Sequence, residues 1–198
     1  MYKSTLKSLA SVANHKHPCP RPNLANIRID YGADTVTATA TNGAVLLRVV
    51  EKTDGYDTSP DDDQPVFISG AAAAAAVKIC TGSKDSPARI RIDGADLLCD
   101  NTHRIAGGYD DSPFPNTDQV WPDEPEISAE ITFNAVLLKR LADAAIVAGR
   151  NSGILPSVTL QITDEQSALG TPGPVLFSLN NSDDDTIVID GLIMPMRR

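Results

Sequence analysis

Residues 38–49 read "ATATNGAVLLRV". Small and β-branched residues alternate up to Asn42-Gly43, and an apolar run leaves on the far side. Both Asn and Gly accept φ > 0, so the dipeptide is a strong short hairpin signal. The stretch predicts an antiparallel hairpin, with "TVTATAT" (35–41) returning as "AVLLRVVE" (44–51). Upstream, Ile27, Ile29 and Tyr31 alternate with Asn26, Arg28 and Asp30, which reads as a half-buried strand turning at 32–34. Earlier still, Leu6, Leu9, Ala10 and Ala13 fall at helical spacing. The prolines of "HKHPCPRPN" end that helix. The hairpin is thus the tail of a unit made of one helix and three antiparallel strands.

The unit recurs. Beyond the polar loop 53–65, "PVFIS" reads as a strand, Ser69 as an N-cap and the alanine run as a helix to about Cys80. Small side chains there let a helix lie close on a sheet. "ARIRID", a turn at Gly94, "DLLCD" and "HRIAG" follow as strands. The third copy opens with "AEITF". Asn134 then caps a helix whose Leu137, Leu138, Leu141, Ala144, Ala145 and Ala148 form one apolar stripe. "SVTLQIT", "PVLFSLN", "TIVID" and "LIMPM" read as its strands. The expected fold class is α+β, with helices on one face of antiparallel sheets. Two units fill 1–122 as a complete domain, and 126–198 holds a partial one.

Composition narrows the function. In 198 residues, 26 acids against 17 Lys and Arg give a net charge of −9, which argues against a general nucleic-acid binder unless a local face is basic. Cys19, Cys80 and Cys99 are odd in number and widely spaced, which predicts reduced, buried thiols and a cytoplasmic setting. "YKSTLKSLASVAN" after Met1 has no apolar core of a signal peptide, and "GAAAAAAVKIC" is too short to cross a bilayer. A soluble protein without membrane partners is expected.

Catalytic patterns are absent from the sequence: it contains no P-loop, HExxH, GxSxG or GxGxxG. His15, His17 and Cys19 cluster, but a fourth ligand such as Cys99 or His103 does not stand at ordinary spacing. The aspartate runs at 61–63, 110–111 and 183–185 lack the alternation of a calcium loop and read as solvated loops. No enzyme activity, cofactor or metal is expected.

Four stretches together resemble the bacterial β sliding clamp, the processivity subunit of DNA polymerase III. "ATATNGAVLLRV" (38–49) is similar to the family's A-T-D-G-x-R-L, with Asn42 for Asp and Val45 for Arg. "FPNTDQVWP" (114–122) is similar to its inter-domain F-P-D-Y-x-x-V-x-P. "FNAVLLKRLADAAIVA" (133–148) resembles the helix opening its last domain, and "LIMPMR" (192–197) its C-terminal V-M-P-M-R. The family has three two-unit domains per subunit, and two subunits close a ring. Residues 1–122 match the middle domain, 126–198 match the start and finish of the last, and the first domain has no counterpart.

The resemblance implies a non-enzymatic DNA replication accessory protein, a homo-oligomer around double-stranded DNA held without sequence preference. It also implies a hydrophobic cleft that receives short clamp-binding peptides from a polymerase or other DNA-processing proteins. By position, the cleft takes Arg21, Leu24, Thr41, Gly43, Leu46, Pro115, Val120, Leu192, Met194, Pro195, Met196 and Arg197. Ala44 and Val45 stand at rim positions where the family differs. Lys3, Lys7, Lys78, Lys139, Arg140 and Arg150 fall on or beside the helices, which in the family face DNA, while the acids gather in loops. The alternative is a peptide-binding or regulatory module of the same fold that never encircles DNA.

Overall fold

The computed structural model describes residues 1–13, 21–52, 64–81, 88–94, 96–99, 103–108, 113–120, 130–148, 157–162, 175–179 and 189–196. The chain forms two compact units, Met1–Asp123 and Glu124–Arg198.

The first unit contains the helix-and-three-strands motif twice. Helix α1 (Lys3–Val12) precedes β1 (Asn26–Tyr31), β2 (Thr35–Thr41) and β3 (Leu46–Lys52). Strand β4 (Val66–Ser69) leads into α2 (Gly70–Ile79), then β5 (Ile90–Asp93), β6 (Asp96–Cys99) and β7 (His103–Ile105). Each motif gives its leading segment to the other's sheet. β4 pairs antiparallel with β1, so the first sheet runs β3-β2-β1-β4. Reciprocally, Tyr2 ahead of α1 bridges Arg89 beside β5. Ile90 N donates to Met1 O at 2.8 Å and Lys3 N to Ala88 O at 3.0 Å.

The helices close the core between these sheets. The predicted α1 stripe of Leu6, Leu9, Ala10 and Ala13 is buried, as are Ala72, Ala73 and Ala76 of α2. They join Ile27, Ile29, Ala38, Ala40, Ile68, Ile90 and Leu97 in one cluster. Burying each large aliphatic side chain contributes roughly 1.5–3 kcal/mol. Lys3 Nζ donates to Cys80 O at 2.5 Å, so the start of α1 meets the end of α2 and the two helices run antiparallel. Ser69 caps α2 as expected, its Oγ accepting from Ala72 N at 3.1 Å. On β7, Arg104 bonds Asp96 at 2.6 Å and holds that carboxyl below its ordinary range.

Two expectations are corrected here. Cys80 and Cys99 are not free thiols: they form a disulfide joining the end of α2 to β6, at a Cα separation of 5.4 Å. Sequence spacing did not reveal this, because the antiparallel pairing of β5 with β6 brings Cys99 back under the helix. The return strand of the hairpin begins at Leu46 rather than Ala44, because residues 42–45 form a four-residue loop in which Gly43 has φ 90°.

The second unit contains the motif once: α3 (Ala135–Ala148), β8 (Val158–Gln161), β9 (Val175–Leu179) and β10 (Ile189–Ile193), in sheet order β10-β9-β8. Asn134 caps α3, accepting from Val136 N at 2.9 Å. "TIVID" and "LIMPM" are not two strands. A single ladder, β10, spans their junction and ends at Ile193↔Val175. Pro195 has no N–H to extend it, although Met196 N does bond Thr132 O at 2.7 Å. The described part of "AEITF" is not a strand. The apolar stripe of α3 is also corrected: Ala145 is buried and Leu141 half-buried, whereas Leu137, Leu138 and Ala144 are exposed.

Two tests follow from the packing. Under non-reducing conditions, alkylation and mass spectrometry should label Cys19 alone. Adding reductant should cost about 3 kcal/mol in denaturant unfolding, the value for closing a loop of this size; three labelled cysteines at the outset would remove the disulfide. In the second unit, Phe177 lies over Gly191, and a Cβ there would stand 2.5 Å from Phe177 Cζ. Gly191→Ala should cost about 1–3 kcal/mol through overpacking, read by urea denaturation.

Candidate peptide-docking cleft

The hairpin loop makes one wall of a cleft. Asn42 Oδ1 accepts from Ala44 N at 3.0 Å and Val45 N at 2.8 Å. Thr41 Oγ1 donates to Val45 O at 2.8 Å and accepts from Gly43 N at 3.1 Å. These bonds hold residues 41–45 in one loop conformation, with Val45 exposed. A short 3-10 helix, Pro22–Ala25, brings Leu24 beneath it, 3.5 Å from where a Cβ on Gly43 would stand.

Residues 113–120 form the other wall, tied once to the 3-10 helix and twice to the first sheet. Asn23 Nδ2 donates to Pro113 O at 2.8 Å. The Phe114 and Phe67 rings lie 5.9 Å apart. Arg48 pairs with Asp118 at 2.7 Å. A turn closed by Val120 N bonding Thr117 O at 3.2 Å then presents Val120, 74% exposed.

Between these walls lies a cavity of about 250 Å³ lined by Arg21, Leu24, Thr41, Gly43, Ala44, Val45, Leu46, Pro115, Asn116, Thr117 and Val120. Arg21, Leu24, Thr41, Gly43, Leu46, Pro115 and Val120 are the residues that the family resemblance implied for this unit, and the fold brings all seven around one cavity. Asn116 and Thr117 were missed, although they sit between Pro115 and Val120. The lining is largely apolar, with the Arg21 side chain and the loop backbone as polar elements, which suits an extended apolar peptide.

Leu192, Met194, Pro195 and Met196 are on the second unit. Along 192–196 burial alternates: Ile193 is buried, while Met194 and Met196 are 54% and 48% exposed. Leu192 lies directly across from Leu176 on β9, and both are exposed. Arg197 lies outside the described residues.

Of the residues expected to face DNA, Lys7 and Lys78 are exposed on α1 and α2, and Arg140 is exposed on α3. Lys3 is half-buried on the Cys80 carbonyl, and Lys139 pairs with Asp143 at 2.6 Å. Arg150 lies outside the described residues, as do Lys16, Lys84, the three aspartate runs and the His15, His17, Cys19 cluster. Among the described residues no group of His, Cys, Asp and Glu is arranged to hold a metal, and no helix is long and apolar enough to cross a membrane.

Solved structures share this architecture. The chain has the sliding-clamp fold. It superposes on the β subunit of the DNA polymerase of Streptococcus pyogenes with a TM-score of 0.67 at 16% identity, over 100% of this chain and 49% of that one. For the DNA polymerase sliding clamp of Bacillus subtilis the values are TM-score 0.68, 20% identity, and 98% of this chain against 48% of that one. For that of Pseudomonas aeruginosa they are TM-score 0.69, 13% identity, 98% and 50%. The chain spans about half the length of these clamps. No family model and no curated protein matches the sequence.

Gly43 is the cleft residue whose conformation side chains rarely adopt. Gly43→Ala should lower unfolding free energy by about 1–2 kcal/mol and loosen the loop, seen as faster amide exchange at Ala44 and Val45.

Proposed function

We propose that this chain is a non-enzymatic, sliding-clamp-like accessory protein of DNA replication that docks polymerase or other DNA-processing proteins by short apolar peptides. The observation that carries it is the apolar cleft in which the hairpin loop, the 3-10 helix and the strapped 113–120 segment converge, in a chain of clamp fold. On the second unit, Leu192, Met194 and Met196 are exposed and are a separate candidate contact surface for such peptides. Methionine is flexible and polarizable, so it adapts to partners that differ in sequence.

The same proposal has the protein assemble as a homo-oligomer around double-stranded DNA. Lys7, Lys78 and Arg140 are its exposed candidates for phosphate contact. With a net charge of −9, such contact is weak, independent of sequence and steeply reduced by salt. Retention on DNA then comes from encirclement rather than affinity.

A fluorescent peptide carrying a clamp-binding motif tests the docking site. It should bind the intact chain, and Val120→Asp, or Met194→Ala with Met196→Ala, should weaken it about tenfold or more, as truncating buried anchors does. Circular dichroism should stay unchanged, because all three side chains are exposed. Binding that ignores both variants would refute the assignment.

A further inference from the structure

We propose that a second copy of this chain docks on α3, the two α3 helices packing antiparallel about a twofold axis at Ala142. The inference goes beyond the proposed function: it names one self-contact of the chain, which joins two copies and does not by itself close a ring, and it does not depend on the peptide cleft.

The first unit supplies the template. Its two motifs, α1-β1-β2-β3 and α2-β5-β6-β7, cover one another by two devices. Their helices pack antiparallel through small and aliphatic side chains. Each also lends its leading segment to the first strand after the other's helix, β4 to β1 and Tyr2 beside β5. This reciprocal arrangement is an internal twofold relation between like motifs.

The second unit has the same motif once, and both devices lack their counterpart among its described residues. At 100° per residue, Ala135, Leu138, Ala142 and Ile146 fall on one side of α3, next to the side on which Ala145 is buried. All four are exposed, Leu138 at 37% and Ile146 at 47%, and none carries charge. Lys139 borders this side next to Ile146 and is drawn to Asp143 by an ion pair of 2.6 Å, while Arg140 and Asp143 lie on other sides of the helix. The second device points the same way. β8 occupies the place of β1 and β5, and among the described residues it pairs with β9 alone. An open sheet edge is a ready template for another strand.

A second copy fits this face by its own symmetry. In an antiparallel pair centred on Ala142, Leu138 of one chain meets Ile146 of the other, and the reverse holds across the axis. The methyl group of Ala142 allows the helices to approach to about 8 Å. Residues 131–133 of each copy take the place beside the other's β8 that β4 holds beside β1. An interface of this kind is isologous and closes at two subunits. Its uncharged face also suits partners that are both acidic, since the remaining repulsion acts over a Debye length of about 8 Å and is screened by salt.

Sedimentation equilibrium of the intact 198-residue chain should give twice the chain mass. Ala142→Glu should reduce it to the monomer, while Val136→Glu, on the side of α3 shared with Arg140 and Asp143, should leave the dimer intact. As a second measurement, Ala142→Cys in a Cys19→Ser background should form a covalent dimer on mild oxidation, because a residue on a twofold axis meets itself. A monomeric parent chain would overturn the proposal, and so would a dimer that survives Ala142→Glu and fails to cross-link. Peptide binding measured on the same samples separates the two ideas: a monomer that still binds peptide leaves the cleft standing, and a cross-linked dimer that does not bind removes the cleft alone.

Discussion

Close contact between two alanine-lined and leucine-lined helices is what the first unit is built around. Ala72, Ala73 and Ala76 remove the bulk that would hold α2 away from α1, so Leu6 and Leu9 reach past it into the space between two sheets. Were α2 written with larger side chains, the helices would separate and the reciprocal strand exchange would lose its register. The disulfide from Cys80 to Cys99 anchors the same helix to the sheet beneath it. Packing and covalent linkage therefore act on one element, at the point where the two motifs meet.

The cleft is a consequence of this rigid base. The outer side of the first sheet is partly roofed by residues 113–120, which bury Thr39, Thr41 and Thr117. That strap is held by one amide bond, one ring contact and one ion pair, each modest in energy. Together they fix the distance between Pro115 and the hairpin loop. The four-residue loop matters for the same reason: a tighter turn would leave Leu24 without a wall opposite it. The loop and the start of β3 offer the cavity the side chains of Ala44, Val45 and Leu46.

The second unit shows what the motif looks like without a counterpart in its own described residues. Its sheet is formed and Val175 and Ile193 are buried, yet the helix buries little more than Ala145. A helix with mean exposure so high on its apolar residues depends on a further surface for much of its stabilisation, since helical propensity alone contributes little at this length. The contrast between α1 and α3 is a contrast of partners, because α3 is the more apolar of the two helices and still the less buried.

Periodicity is local, and it was enough to place the helices, most strands, the caps Ser69 and Asn134 and the threefold recurrence of one motif. The resemblance to the clamp family, not the recurrence, supplied the seven residues that the fold gathers around one cavity. What sequence left open depends on distant contacts. The stripe on α3 is legible as apolar, but whether it is covered is set by which surface comes to meet it. The disulfide is invisible in spacing because strand pairing, not sequence separation, sets the distance between Cys80 and Cys99. Asn116 and Thr117 join the cleft only because Asp118 and Phe114 on either side are tied to Arg48 and Phe67. Local pattern decided which elements form; the three-dimensional packing of those elements decided which of their faces are buried, bridged or left open.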